Sequence, residues 1–430
     1  MATSLKIGWR AGLAGLLLGL TLVTPYLLGA VGAYAEIVCV GLMLVVLALR
    51  RERLAIAGDP AAKLLLAAPA LLAVAFVFTA KTPHDALYAF NFLMLAAFAP
   101  ASAYLAGFAG PDNLRRVAML ALLGALVAAV LALGDVLLLH QERASGWETD
   151  PIWSAEAAVL LGFVAGLGAG LPGRWRLLYL AGPLLGLVTC LLSGSRGPLL
   201  AVPILLLVLV AGVATRRLQA LALTVAAGML ALVVVRFTLP SAFDRVLSLG
   251  DMGRQLATSG TVAEISGGTR LAFYKAGWDA FLHAPVLGYG WAGKMQAIVP
   301  YLPGDGEALI APHLHLHSDS LDFGVSGGVV GLLAYLLILA APVAGAFAGP
   351  RDSQFRLRLT GALLLAIGYF VCGLTYLMFG YEFHTTLYVC LSAILIGYCR
   401  DRPPSPPPQA GEGKRALPMV RGSPRARTSP

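Results

Sequence analysis

Charge is scarce in this chain. Asp, Glu, Lys and Arg together make up 12% of its 430 residues, whereas 58% are hydrophobic and the mean hydropathy is +0.80. A soluble fold cannot hide that much apolar surface, so most of it must face lipid or other membrane helices. At 430 residues the chain could hold two or three soluble domains, but this composition argues against that. Cysteine is also rare. Cys39, Cys190, Cys372, Cys390 and Cys399 are odd in number, lie in apolar runs and show no C-x-x-C spacing. They read as small packing residues, neither a disulfide framework nor a metal site. Carboxylates hardly enter the apolar runs, and Asp135 and Glu156 fall near run ends. Ion-coupled transporters usually need midplane ionisable groups or broken helices, and the sequence shows neither.

What the chain does have is a succession of apolar runs of roughly 16 to 30 residues, the length that spans a bilayer. They lie at about 11–29, 34–49, 64–80, 86–108, 117–139, 153–171, 177–192, 198–214, 218–237, 318–348, 358–379 and 383–399. The expected fold is an all-α integral membrane protein of about 12 transmembrane helices, with residues 1–399 as the polytopic domain. Lys6 and Arg10 precede the first run, and Ala33-Tyr34-Ala35 resembles a signal cleavage site. The run from Ala11 to Leu28 is long for a signal peptide, so a retained helix is expected.

The net charge of +9 does not point to nucleic acid, because the basic residues form short clusters between apolar runs. That pattern sets membrane orientation. Most of the 31 lysines and arginines fall on one side if both termini are cytoplasmic. One outer segment, 238–316, is far longer than the other loops, and long ordered loops tend to be functional. Within it Leu271, Tyr274, Trp278, Phe281 and Leu282 follow helical spacing, with Thr269 as candidate N-cap and Ala284-Pro285 as terminator. A periplasmic cap containing short helices is expected there. The tail, 400–430, is basic and rich in Ser and Pro, and is expected to be disordered and cytoplasmic.

Three residues on the outer side carry chemistry. Arg196, in Ser193-Gly194-Ser195-Arg196-Gly197-Pro198, sits at the expected start of the eighth span. Helix N-termini favour anions, and a guanidinium adds a permanent charge and a fork for phosphate oxygens. Taken alone, an arginine here equally suits snorkelling to lipid headgroups. Arg270 follows Gly267-Gly268-Thr269 and is expected in the first turn of a helix, where a cation is unfavourable unless an anion binds nearby. A solvated loop arginine is the alternative. Lys275 and Lys294 read as surface charges. His317 ends His313-Leu314-His315-Leu316-His317. Metal binding is not expected, since alternating residues on an extended segment face opposite ways and no matching ligand set has the right spacing. A helix N-terminus lowers a histidine's pKa and keeps it able to accept a proton. Asp319 or Asp322 would orient it, or cap the helix. Two fixed cations and one base suit a diphosphate leaving group and a hydroxyl nucleophile.

At these residues the chain resembles the O-antigen ligase and polymerase superfamily of bacterial inner membranes. Ser193-Gly194-Ser195-Arg196-Gly197 is similar to its S/T-G-S-R-G element. Gly268-Thr269-Arg270 through Trp278, then His283-Ala284-Pro285-Val286-Leu287-Gly288-Tyr289-Gly290, resembles its R…W…hPllGvG stretch. His317-Ser318-Asp319-Ser320-Leu321, with Gly324 and Gly327-Gly328-Val329-Val330-Gly331-Leu332, resembles its H-N-x-x-L…G-x-x-G-L element, with serine where asparagine is frequent. The resemblance implies a metal-independent, inverting glycosyltransferase of the GT-C type, without cofactor, using an undecaprenyl-diphosphate-linked glycan. Arg196 and Arg270 would hold the diphosphate, and His317 would take the acceptor proton, with Gly268, Thr269, His313, His315 and Asp319 in support. The favoured branch is the ligase, whose acceptor is lipid A–core. A polymerase, a protein O-oligosaccharyltransferase and, outside the family, a lipid or glycan flippase are the alternatives.

Overall fold

The computed structural model describes residues 2–52, 54, 56–147, 149–213, 236–237, 250–251, 254–259 and 265–400. Among these there is no strand, and the protein is an all-helical integral membrane protein. Nine of the described helices are long and apolar enough to cross a bilayer, and Gly8–Val23 is a shorter apolar one. The chain opens with α1 (Ala2–Val23), α2 (Pro25–Leu49) and α3 (Pro60–Thr79). The short α4 (Pro83–Leu87), a 3₁₀ stretch over Tyr88–Ala97 and α5 (Phe98–Ala106) together make the next crossing. Then come α6 (Asn113–Leu137), α7 (Pro151–Gly166), α8 (Ala181–Ser193) and α9 (Arg196–Val213). The expected spans all meet a helix except the ninth, 218–237, which lies almost wholly outside the described residues. So does the tail after Arg400.

Local chemistry sets several helix starts. Pro25, Pro60, Pro83 and Pro151 occupy first helical positions, where their missing N–H costs nothing. Asp59 caps α3 by accepting from the N–H groups of Ala61 and Ala62, and Asp150 caps α7 through Ile152 and Trp153. The chain breaks at Thr24, where Pro25 starts a new helix, and again at Gly29 (φ 46°, ψ −127°), close to the boundary expected between the first two spans.

Beyond the undescribed stretch, α10 (Ile265–His283), α11 (Lys294–Ile298) and α12 (Gly306–Ile310) precede α13 (Asp319–Ala348), α14 (Phe355–Cys372) and α15 (Glu382–Ala393). Phe273, Ala276 and Ala280 of α10 bury with Ile298 and Leu316 against Val325 of α13, a small core of their own. α10 stops before Pro285, as its sequence requires. Its start differs from the expected one: the chain is already helical at Ile265, so Thr269 lies inside the helix and is not its cap.

Glu36, Glu156, Asp319, Asp322, Arg358 and His384 are buried within the bundle, all but Glu36 near the starts of their helices. One further expectation is overturned: a broken helix is present. α13 is interrupted at Gly328 (φ 59°, ψ −147°), a conformation open essentially to glycine alone. The interruption is stitched by the turn after α10. Tyr289 and Gly290 donate backbone N–H groups to the carbonyls of Val325 and Ser326 (2.8 and 2.9 Å), while Val329 and Val330 donate to Pro285 and Val286 (2.7 and 3.4 Å).

A Cβ at Gly328 would lie 2.3 Å from the Val286 carbonyl carbon. Gly328→Ala is therefore expected to cost at least about 1–3 kcal/mol from backbone strain, before the overlap is counted. At Gly324 the added atom would find only ordinary contacts of 3.5 Å and beyond. Thermal unfolding in detergent should show a clear drop for Gly328→Ala and little change for Gly324→Ala.

Candidate functional site

Arg196 is placed by a tight connection. α8 ends in Gly194, left-handed at φ 64°, and α9 begins two residues later with Arg196 itself. Pro198 falls at the third helical position, still within the first turn. A Cβ at Gly197 would sit 2.2 Å from Thr375 Oγ1, so glycine there lets the segment after α14 close over the start of α9. Ser195 donates its hydroxyl to the Pro151 carbonyl at 2.9 Å, tying this junction to α7.

Arg196 and Arg270 line one cavity of about 280 Å³, with Ser195, Ser266 and Thr375 around them. A third arginine joins them. Arg143, from the loop before α7, donates through Nε to the Ser193 carbonyl at 2.7 Å and through Nη2 to Ser195 Oγ at 3.3 Å. Among the described residues no carboxylate lines this cavity. Such a chamber suits an anion with several oxygens. Arg270 lies in the second turn of α10 and not the first, because the helix starts earlier than expected.

His317 does not line that cavity. It stands beside it, across Tyr376, whose ring centroid is 5.7 Å from that of His317 and whose neighbour Thr375 is in the cavity wall. Tyr376 in turn donates to Asp150 Oδ2 at 3.2 Å, the carboxylate that caps α7. The single O–H of Tyr274 on α10 is shared between the carbonyls of His317 and Leu374 (2.9 and 3.0 Å), so one side chain bridges the histidine and the segment after α14.

The three histidines do not point to opposite faces. His317 has a left-handed backbone (φ 57°), which breaks the extended alternation and folds its ring back onto the others. Ring centroids are 4.3 Å apart for His315 and His317, and 5.3 Å for His313 and His317. His315 Nδ1 accepts the backbone N–H of His317 at 3.1 Å, and His317 Nε2 lies 3.3 Å from His313 Nδ1. Among the described residues no group of His, Cys, Asp and Glu could hold a metal ion. Burial, with the Arg270 guanidinium and His313 adding to it, holds the His317 imidazole down at about 3. His315 is held at about 2, again mainly by burial, and His313 is lowered by burial and Arg270. Burial and a nearby cation thus add to whatever the start of α13 contributes.

Neither aspartate orients His317. Asp319 accepts from the backbone N–H groups of Met378 and Phe379 (2.9 and 3.4 Å) and so anchors the segment after α14. Asp322 accepts from the Leu316 N–H and pairs with Lys294 at 2.7 Å. Lys294 is thus no surface charge. It is 2% exposed, with its ammonium 3.3 Å from the centroid of the Trp291 ring. Burial pulls its pKa below the ordinary range while Asp322 pulls it back. Lys275 is exposed, as its sequence suggested. Sequence reasoning missed Arg143 and Tyr376. Arg143 carried a faint signal, a basic residue in a short loop on the side that has few.

Residues 181–336 match the family model for O-antigen ligase. The match starts in α8 and ends in α13, enclosing Arg196, Arg270, His317 and the stitched break. It supports the resemblance to the O-antigen ligase and polymerase superfamily, and with it a glycosyltransferase-like enzyme acting on a lipid-linked glycan in a membrane. No curated protein matched the chain. Arg143, Thr375 and Tyr376 lie outside the ligase-family segment, yet the fold brings them to it.

Removing one member of the Lys294–Asp322 pair leaves the other charge buried and uncompensated. Asp322→Ala is expected to destabilise by about 3–5 kcal/mol, and Lys294→Met with Asp322→Leu by clearly less. Comparing the two unfolding midpoints in detergent tests this, and equal losses would show that the pair is not what holds Leu316.

Proposed function

We propose that this chain is an O-antigen ligase, which transfers a glycan from undecaprenyl diphosphate to a hydroxyl of lipid A–core oligosaccharide at the periplasmic face of the inner membrane. The observation that carries the reading is the clustering of Arg196 and Arg270 around one small cavity, with a neutral histidine beside it.

On this reading the arginine chamber receives the diphosphate. As the bond between the sugar carbon and the phosphate oxygen breaks, the carbon becomes oxocarbenium-like and negative charge grows on the leaving oxygen. Cations already fixed at that point stabilise the transition state more than the ground state. Arg143, anchored on Ser193 and Ser195, adds to the same field. His317 takes the proton from the attacking hydroxyl as the new bond forms. Burial keeps its imidazole neutral and the lone pair available, and the same lowering makes it a weaker base than an imidazole matched to the working pH. The arginines supply the charge stabilisation that a divalent metal gives in many other transferases.

The test is transfer by purified protein, in chelator, from polyprenyl-diphosphate glycan to lipid A–core. Each arginine-to-alanine change, at 196 or 270, is expected to cost about 10²–10³-fold in kcat, the usual worth of one such donor. His317→Ala should cost about 10²–10⁴-fold. Longer carrier-linked chains with an unmodified core would identify a polymerase. Donor binding without any transfer would favour a flippase.

The pH dependence has a definite sign. A histidine of ordinary pKa, about 6.5, would lose half of its base form on acidification to that pH. With His317 at about 3, its base form stays full far below that. The acid limb of kcat/KM should therefore lie below pH 5, and a limb near 6.5 that disappears in His317→Ala would show a base whose imidazole is not held down by its surroundings.

A further inference from the structure

One atom of the histidine cluster is unaccounted for. His317 Nε2 meets His313 Nδ1 at 3.3 Å, while His317 Nδ1 is buried and has no hydrogen-bond partner. A neutral imidazole carries one N–H and one lone pair. Were the hydrogen on Nδ1, a buried donor would face nothing, the costlier way to leave a polar atom. With the hydrogen on Nε2, that donor is satisfied by His313 and the unpaired atom is a lone pair.

We propose that His313 is the positioning residue for His317: it accepts the Nε2–H, fixes the tautomer and ring orientation, and leaves the lone pair on Nδ1, which takes the acceptor's proton once acceptor binding opens the packing over that buried atom. This rests on the reading of His317 as the base. In the transfer step the acceptor oxygen forms its bond to the sugar carbon and gives its proton to Nδ1. The electron pair of the broken carbon–oxygen bond leaves on the diphosphate. The imidazolium so formed keeps its Nε2–H bond to His313, now charge-assisted and stronger. Its proton is released from Nδ1 to water as product leaves.

The surroundings suit a neutral partner. His317 is faced by Arg270 and Tyr274 from α10, by His313 and His315 from its own loop, and by Tyr376, with Asp150 behind, from the segment after α14. The nearest carboxylates on α13 are spent elsewhere, Asp319 on Met378 and Phe379, Asp322 on Lys294 and Leu316. His315 is occupied too, since its Nδ1 accepts the His317 backbone N–H. Of the three histidines, His313 is the one whose ring nitrogen meets the ring nitrogen of His317.

The experiment measures transfer by the full chain, with kcat, donor KM and the pH profile of kcat/KM for His313→Ala, His313→Asp and His317→Ala. Losing the tautomer partner should lower kcat of His313→Ala by about 10–10²-fold, with donor KM within about twofold of the parent. His313→Asp keeps an acceptor but places a carboxylate by the imidazole. It should retain activity and move the acid limb of kcat/KM upward by about one pH unit or more, a shift that a merely structural role would not give. Wild-type kcat and pH profile in His313→Ala, alongside an inactive His317→Ala, would overturn this proposal alone. A fully active His317→Ala would instead overturn the base reading beneath it. A raised donor KM at unchanged kcat in His313→Ala would also overturn the proposal, placing His313 against substrate. If the alanine variant fails to bind donor, the aspartate variant decides: an unmoved acid limb defeats the proposal.

Discussion

The break in α13 is the constraint on which the rest of the site depends. An interrupted helix in a dry interior would strand backbone donors and acceptors, each worth several kcal/mol in hydrocarbon. The turn at 285–290 supplies the missing partners, and two glycines without Cβ atoms, Gly288 and Gly328, let the two backbones come close enough. Because that turn follows α10 directly, satisfying the break also fixes where α10 lies. Arg270 and Tyr274 ride on α10, and His317 precedes α13, so the same four hydrogen bonds set the cation and the histidine relative to each other.

A second set of ties carries this placement across to the bundle. Asp319 holds the backbone at Met378 and Phe379, Tyr274 holds Leu374, and Tyr376 reaches Asp150 at the start of α7. The segment after α14 is therefore gripped from α10, α13 and α7 together. Through Thr375 it also closes against Gly197 at the start of α9, beside Arg196. Residues that only the fold brings together, from helices before and after the undescribed stretch, thus share one cavity wall. None of these ties is strong alone, at about 1 kcal/mol net for a neutral hydrogen bond and more to a charged acceptor. Their convergence on one short segment is what makes it a rigid partition between the arginine chamber and the histidines.

Much of this was legible in the sequence, for reasons that differ by element. The membrane class and the span positions follow from apolar run length, because a bilayer permits few alternatives. Arg196, Arg270 and His317 stood out because each sits among glycines or histidines whose grouping has few structural explanations. Three-dimensional detail failed where one backbone angle decides. The alternation of His313, His315 and His317 reads as an extended strand with opposed faces, and the left-handed φ of His317 cancels that rule. The start of α10 was misplaced because Gly267-Gly268 looks like a boundary, although glycine is tolerated inside a helix that packs closely. Tyr376 was illegible, and Arg143 showed only as a basic residue in a short outer loop, because both lie far from the motifs in sequence and join them through long-range packing. Lys294 was misread because nothing local announces that Asp322, 28 residues later, will bury with it.

The electrostatics of the arginine chamber limit how the proposed reaction can run. An anion about 7 Å from a guanidinium is attracted to it by about 2.4 kcal/mol at an effective dielectric of about 20. The N-terminus of α9, where Arg196 sits, favours an anion by about 0.3–1 kcal/mol more. On the proposed reading both attractions grow along the reaction, because the leaving diphosphate gains a negative charge that the esterified donor lacks. The field that lowers the barrier must then hold the product more tightly than the donor. Chemistry and product release are set against each other by the same three side chains, and weakening one cation of the three would slow the first while speeding the second.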